Sequence, residues 1–122
     1  MNFEFIETNK SEVCEKILRS LPKWFGIESA ILDYVKDVQR MPMLVALKES
    51  ETIGFLALNY HNKYTAEIHV MGVLQKFHRQ KIGQQLVSFA ENYLASKGYR
   101  YEPEAPPYFE RITDYDLIVR QD

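Results

Sequence analysis

The sequence is short of several things, and each shortage narrows its chemistry. It has a single cysteine, Cys14, in 122 residues, which excludes an intrachain disulfide and a thiolate zinc cluster and fits a reducing compartment. No metal is expected. No apolar run reaches the length of a bilayer span, and the opening "MNFEFIETNK" lacks the basic start and apolar centre of a signal peptide. The expectation is a cytoplasmic protein without a membrane partner. Charge of one sign is not in excess either: fifteen Lys and Arg stand against seventeen Asp and Glu, for a formal net charge of −2. A nucleic-acid surface would call for a basic footprint, and Lys76, Arg79 and Lys81 stand almost alone, so no nucleic-acid partner is expected.

What the chain does have is core-forming material. Apolar residues make up 46% of it, with eight Tyr and seven Phe, a composition that folds rather than stays disordered. Its length suits one compact domain over residues 1–122. "FEFI" reads as a short first strand. "NKSEVCEKILRSL" follows with Val13, Ile17, Leu18 and Leu21 at helical spacing, Asn9 or Ser11 as the cap, and Pro22 as the stop. Cys14 therefore lies in an ordinary helix rather than in a reactive setting. "IESAILDYVKDVQ" reads as a second helix, with Ile27, Ile31, Leu32, Val35 and Val38 along one side. "MLVALK", "TIGFLALNYH" and "YTAEIHVMGV" are β-rich runs separated by turn signals, the outline of an antiparallel meander. From Lys81 the helical period returns through Ile82, Leu86, Phe89, Ala90, Tyr93 and Leu94, and Gly98 closes that helix. "YRYE" and "YDLIV" are two later strand candidates. The order of elements predicts an α+β domain with a mixed, mainly antiparallel central sheet and helices on both faces.

The junction "AEIHVMGVLQKFHRQKIGQQL" carries the functional signal. A strand ending at Val73 feeds a short basic loop and then a helix, whose unpaired first N–H groups attract anions. Arg79 and Lys81 add charge to that site, and a phosphate or pyrophosphate is the natural ligand. A solvated connection is the bland alternative. Neither G-x-x-x-x-G-K-S/T nor a complete G-x-G-x-x-G is present, which excludes the nucleotide enzymes that carry those loops.

"GVLQKFHRQKIGQQL" resembles the acyl-CoA pyrophosphate motif of the GCN5-related N-acetyltransferase (GNAT) superfamily, written Q/R-x-x-G-x-G/A after the fourth strand. The first motif residue falls at His78, the first glycine at Lys81 and the second at Gly83. The resemblance runs from Phe3 to Gly98 and implies an α/β/α fold. It implies acetyl-CoA as co-substrate, with backbone contacts at Met71 and Val73 and pyrophosphate contacts from His78, Arg79, Gln80, Lys81, Ile82, Gly83 and Gln84. The implied reaction is attack of a primary amine on the thioester, the acceptor being a small molecule or a peptide. Glu67 and His69, two apart in the fourth strand and so on one face, are the candidate bases, Glu67 the first choice. Tyr108, in "YFERITDY", is the candidate acid, with Tyr115 behind it. Trp24 and Phe25 fall where the family builds its acceptor wall, and Glu28, Asp33 and Asp37 of the second helix suit a cationic amine. Residues 99–122 are fewer than the family ordinarily places after this helix, which implies an atypical end to the sheet and a possible homodimer. The competing class is a non-catalytic acyl-CoA-binding protein of the same fold.

Overall fold

The apolar runs in the middle of the chain become the inner strands of a sheet, and the helices pack on its two sides. The computed structural model describes residues 1–102, 109–110 and 118–119. Its elements are β1 (Asn2–Ile6), α1 (Lys10–Arg19), α2 (Glu28–Asp37), β2 (Met43–Lys48), β3 (Glu51–Tyr60), β4 (Thr65–Val73), α3 (Ile82–Ser96) and β5 (Arg100–Glu102). One sheet runs in the order β1-β2-β3-β4-β5. Every pairing in it is antiparallel except that of β5, which lies parallel to the start of β4. Short strands β6 (Phe109–Glu110) and β7 (Ile118–Val119) pair with each other, and β7 lies beside β4 without joining its ladder. The expected mixed, mainly antiparallel sheet is the one found.

Burial explains which strands are central. From Ile53 to Leu58 and from Ile68 to Val73 every residue is buried, as strands covered on both faces must be. β1 instead alternates: Phe3 and Phe5 are half-buried while Glu4 is exposed, the pattern of an edge strand with one wet face. Two glycines show the two layers directly. A Cβ at Gly72 would lie 3.1 Å from Ile17 and 3.4 Å from Leu21, on the α1 side. A Cβ at Gly54 would lie 3.3 Å from Leu86 of α3. The helices thus press on opposite faces where the sheet offers no side chain to hold them off.

Local signals set the helix ends, with two corrections. Asn9 occupies the cap position of α1, but in a left-handed conformation (φ 62°) and without a side-chain cap bond. Ser11 does not cap either; its hydroxyl donates to the Val35 carbonyl at 2.9 Å and ties α1 to α2. The second helix is shorter than its apolar period suggested, giving way after Asp37 to a short 3-10 segment, Val38–Arg40. α3 ends as expected. Gly98 adopts φ 84°, and the Tyr99 N–H returns to the Leu94 carbonyl at 2.9 Å. Phe89 is exposed at its edge but stacks on Phe3 at 5.9 Å, which extends the α3 contact to β1.

Candidate functional site

β4 has a neighbour on both sides at its start and, among the described residues, a ladder partner on one side only further along. Thr65, Ala66 and Glu67 pair with β5, and among the described residues the β5 ladder stops there. On the other side, β4 pairs with β3 throughout, but the register steps from Ala57↔Val70 to Leu58↔Ile68. His69 is the extra residue, a bulge at the place where β4 and β5 part. Beyond it the backbone direction follows from one bond: the Leu74 N–H donates to the Ile53 carbonyl of β3 at 2.9 Å. The carbonyl of Val73, in the same peptide, points away from β3, and alternation puts the polar backbone groups of Met71 on that outer side too. Met71 and Val73 are thus the residues of this stretch whose backbone groups face away from β3.

That stretch leads into the junction loop. A 3-10 turn, Gln75–Phe77, precedes His78, whose Nε2 donates to the outward carbonyl of Val73 at 2.7 Å. Arg79 and Lys81 both take left-handed conformations, at φ 66° and 64°. A lysine therefore holds the backbone shape that a glycine supplies without strain, at a cost of about 1–2 kcal/mol. α3 starts from Lys81, whose side chain makes no cap bond. Arg79, Gln80, Lys81 and Gln84 are exposed while Ile82 and Gly83 are buried. The charged and polar part of the loop faces solvent and its apolar part is buried.

Charge here exceeds what the loop alone contains. Lys48, at the end of β2, places its Nζ 5.3 Å from the Phe77 ring, and Lys76 lies 5.2 Å from the same ring. Lys48 was missed in the sequence, yet the meander contained the signal. β2 and β4 flank β3 in the same direction, so their carboxyl ends lie at one end of the sheet.

The other predicted residues fall as follows. Glu67 is partly buried, and its Oε1 lies 2.9 Å from Nε2 of His61. His69 turns to the helical side, where its Nε2 meets Oδ2 of Asp37 at 3.1 Å and its ring meets Tyr34 edge to face at 5.6 Å. By register Glu67 stands opposite Asn59, on the α1 face with Ala57 and Phe55. Glu67 and His69 therefore share a face, as alternation suggested, but each is held by a different partner. Trp24 packs edge to face on His78 at 5.6 Å, joining the α1–α2 linker to the junction loop. Phe25 is core, 5% exposed and against Tyr34. Tyr108 and Tyr115 lie outside the described residues. Cys14 is buried, and that burial, with Glu15 and Asp37 nearby, pushes its thiol up to about 12.

Two surface clefts, of about 490 and 480 Å³, lie around Glu12 and involve none of the predicted site residues. Among the described residues no group of three or more His, Cys, Asp and Glu could hold a metal ion, and no helix is long and apolar enough to cross a membrane.

A model of the acetyltransferase (GNAT) family matches residues 11–105. Sequence comparison with curated proteins gives no match. Among solved structures, an aminoglycoside 6′-N-acetyltransferase complexed with coenzyme A superposes with TM-score 0.65 at 20% identity, over 81% of this chain and 58% of that one. The aminoglycoside 6′-N-acetyltransferase from Enterococcus faecium gives 0.63 at 23% identity, with the same coverage of 81% and 58%. The ribosomal-protein-alanine N-acetyltransferase from Brucella melitensis biovar Abortus gives 0.64 at 10% identity, over 87% and 83%. The chain thus spans little more than half the length of the first two, and at these identities the likeness is one of fold.

Proposed function

The chain belongs to the acetyltransferase (GNAT) family, and from that premise we propose that it transfers an acetyl group from acetyl-CoA to a primary amine. The observation that carries the reading is Lys81. It stands at the motif's first glycine and keeps a left-handed backbone at φ 64°, so the loop enters α3 in the conformation a glycine would allow. The donor set fits acetyl-CoA on two further counts. The exposed Arg79 and Lys81 flank the start of α3, and a helix N-terminus with two cations beside it suits a pyrophosphate. The outward backbone of Met71 and Val73 suits the amides of a pantetheine arm, with the Val73 carbonyl shared with or yielded by His78.

In this reading the thioester supplies an activated acyl group, and the protein supplies position and proton transfer. Arg79 through Gln84 hold the pyrophosphate. Met71 and Val73 align the arm so that the acyl end comes to the bulge at His69. The acceptor enters from the α1–α2 side, past Trp24, where Asp33 and Asp37 of α2 favour a cation; Glu28 is held by Arg19 at 2.7 Å. A base on β4 removes the ammonium proton, and Tyr108 protonates the leaving thiolate. Aminoglycosides and alanine-bearing peptides are the first acceptors to try, because structurally similar proteins are named aminoglycoside 6′-N-acetyltransferase and ribosomal-protein-alanine N-acetyltransferase.

Calorimetric titration with acetyl-CoA and with desulfo-CoA tests the proposal, repeated on Arg79→Ala and Gly83→Asp. Saturable binding that Arg79→Ala weakens and Gly83→Asp abolishes is expected, followed by thiol release when sisomicin or an alanine-initiated peptide is added. No heat from folded wild-type protein would remove the transferase reading. Binding with no transfer to any amine would leave the non-catalytic acyl-CoA-binding alternative.

A further inference from the structure

His78 stands at the first position of the loop motif, yet its donors are already in use inside the protein. Its backbone N–H donates to the Gln75 carbonyl at 3.0 Å, closing the 3-10 turn, and its Nε2 donates to the Val73 carbonyl at 2.7 Å. A carbonyl only accepts, so Nε2 carries the hydrogen, and Nδ1 of the neutral ring then holds a lone pair, which repels an anion. The neutral residue has no donor left for a pyrophosphate. Its neighbours differ: Arg79 and Lys81 are exposed and form no ion pair among the described residues.

What His78 does hold is one peptide and one ring. The peptide between Val73 and Leu74 is fixed at both ends, because its N–H donates to the Ile53 carbonyl of β3 at 2.9 Å and its oxygen accepts from His78. That oxygen has two lone pairs and points away from β3, so His78 takes one and leaves the other for a ligand. The imidazole in turn meets Trp24 edge to face at 5.6 Å. Trp24 is anchored on its own side: its N–H and that of Phe25 both reach the Leu21 carbonyl, at 3.0 and 2.9 Å, and Phe25 is core.

We infer that His78 is a positioning residue rather than a pyrophosphate ligand. Trp24 seats its ring, and its Nε2–H holds the Val73 carbonyl where the second lone pair receives an amide N–H of the pantetheine arm. The inference rests on the transferase reading and deepens it. It connects the two substrate sides of the protein, since Trp24 belongs to the linker on the acceptor side and Val73 to the strand end that takes the arm. No bond is made or broken by His78; it fixes geometry, on which the rate of transfer depends.

Calorimetry separates the two ends of the cofactor. The probes are acetyl-CoA and adenosine 3′-phosphate 5′-diphosphate, which keeps two linked phosphates and lacks the arm, the second measured by its competition with the first. His78→Leu removes the donor and keeps an apolar contact for Trp24, whereas His78→Gln keeps an N–H donor. The residue is half-buried, so both variants are expected to fold, which circular dichroism checks. His78→Leu should weaken acetyl-CoA by about 3–10-fold and the diphosphate by less than about twofold, the loss expected for one hydrogen bond on the arm side alone. His78→Gln should keep the wild-type affinity for acetyl-CoA. Arg79→Ala should weaken both probes.

Equal losses on the two probes in His78→Leu would make His78 a pyrophosphate ligand and overturn the inference. So would unchanged acetyl-CoA binding in His78→Leu, or a glutamine variant as weak as the leucine one. Trp24→Ala is expected to weaken acetyl-CoA in the wild-type background and to add nothing in His78→Leu, because the two residues act in series; additive losses would break the link to the linker. Folded wild-type protein that binds neither probe would sink the transferase reading, whereas wild-type protein that binds both, with His78→Leu unchanged, would sink this inference alone.

Discussion

Lys81 and Cys14 show how much a single residue's environment decides. The lysine occupies φ 64°, where a Cβ crowds the following carbonyl, so Lys81→Gly should stabilise the fold by about 1 kcal/mol in urea denaturation. The same change removes a charge beside the proposed pyrophosphate, and acetyl-CoA should bind it less tightly in spite of the better fold. Tighter binding would mean that loop shape outweighs charge at this position. Cys14 makes a prediction about pH. Its thiol is raised from 9.0 to about 12 by burial first and by neighbouring carboxylates second. The unfolded chain ionises first, so this thiol's contribution is whole below pH 9 and declines as the pH rises toward 12. Denaturation midpoints measured from pH 8 to 11 should fall, and fall less in Cys14→Ala. Iodoacetamide should leave Cys14 unmodified at pH 8 until the chain unfolds.

At the scale of elements, the sheet and its helices approach closely only because β3 and β4 each carry a glycine at the contact. Gly72 faces Ile17 and Leu21, and Gly54 faces Leu86, at 3.1–3.4 Å from where a Cβ would stand. Gly72→Val should force α1 outward and Gly54→Val should do the same to α3, each costing about 1–3 kcal/mol by overpacking. Equilibrium unfolding checks both, and a change within error at either would show that the layer can give way. Most of this architecture was legible in the sequence. Continuous apolar runs marked the strands buried on both faces, a 3.6-residue period marked α1 and α3, and Gly98 marked the end of α3. The bulges were not legible. Alternation tells which residues share a face, but not that β4 carries one residue more than β3 at His69, since that surplus is a property of the pair. The end of α2 was misread for a related reason: Val38 is buried and in phase with the helix, yet the backbone there has tightened into a 3-10 turn.

For the whole molecule the useful measurement is linkage between ligand and fold. A ligand that binds only the folded chain at 100 times its Kd adds about 2.7 kcal/mol, which in a domain of this size raises Tm by on the order of 10 °C. Acetyl-CoA should do this to the wild type and not to Gly83→Asp, and no shift in either would separate the fold from the function proposed for it. The sequence by itself determined the order of the elements, the strand cores, the basic junction between β4 and α3 and its likeness to a pyrophosphate loop, because periodicity, turn chemistry and helix-end electrostatics act over a few residues. Only the tertiary structure decided that Asp37 meets His69 across 32 positions, that Trp24 packs on His78, that Lys48 joins the loop's charge and that β5 pairs with Thr65, Ala66 and Glu67 of β4. Those contacts depend on register and on how layers pack, and neither is set by any one segment of the chain.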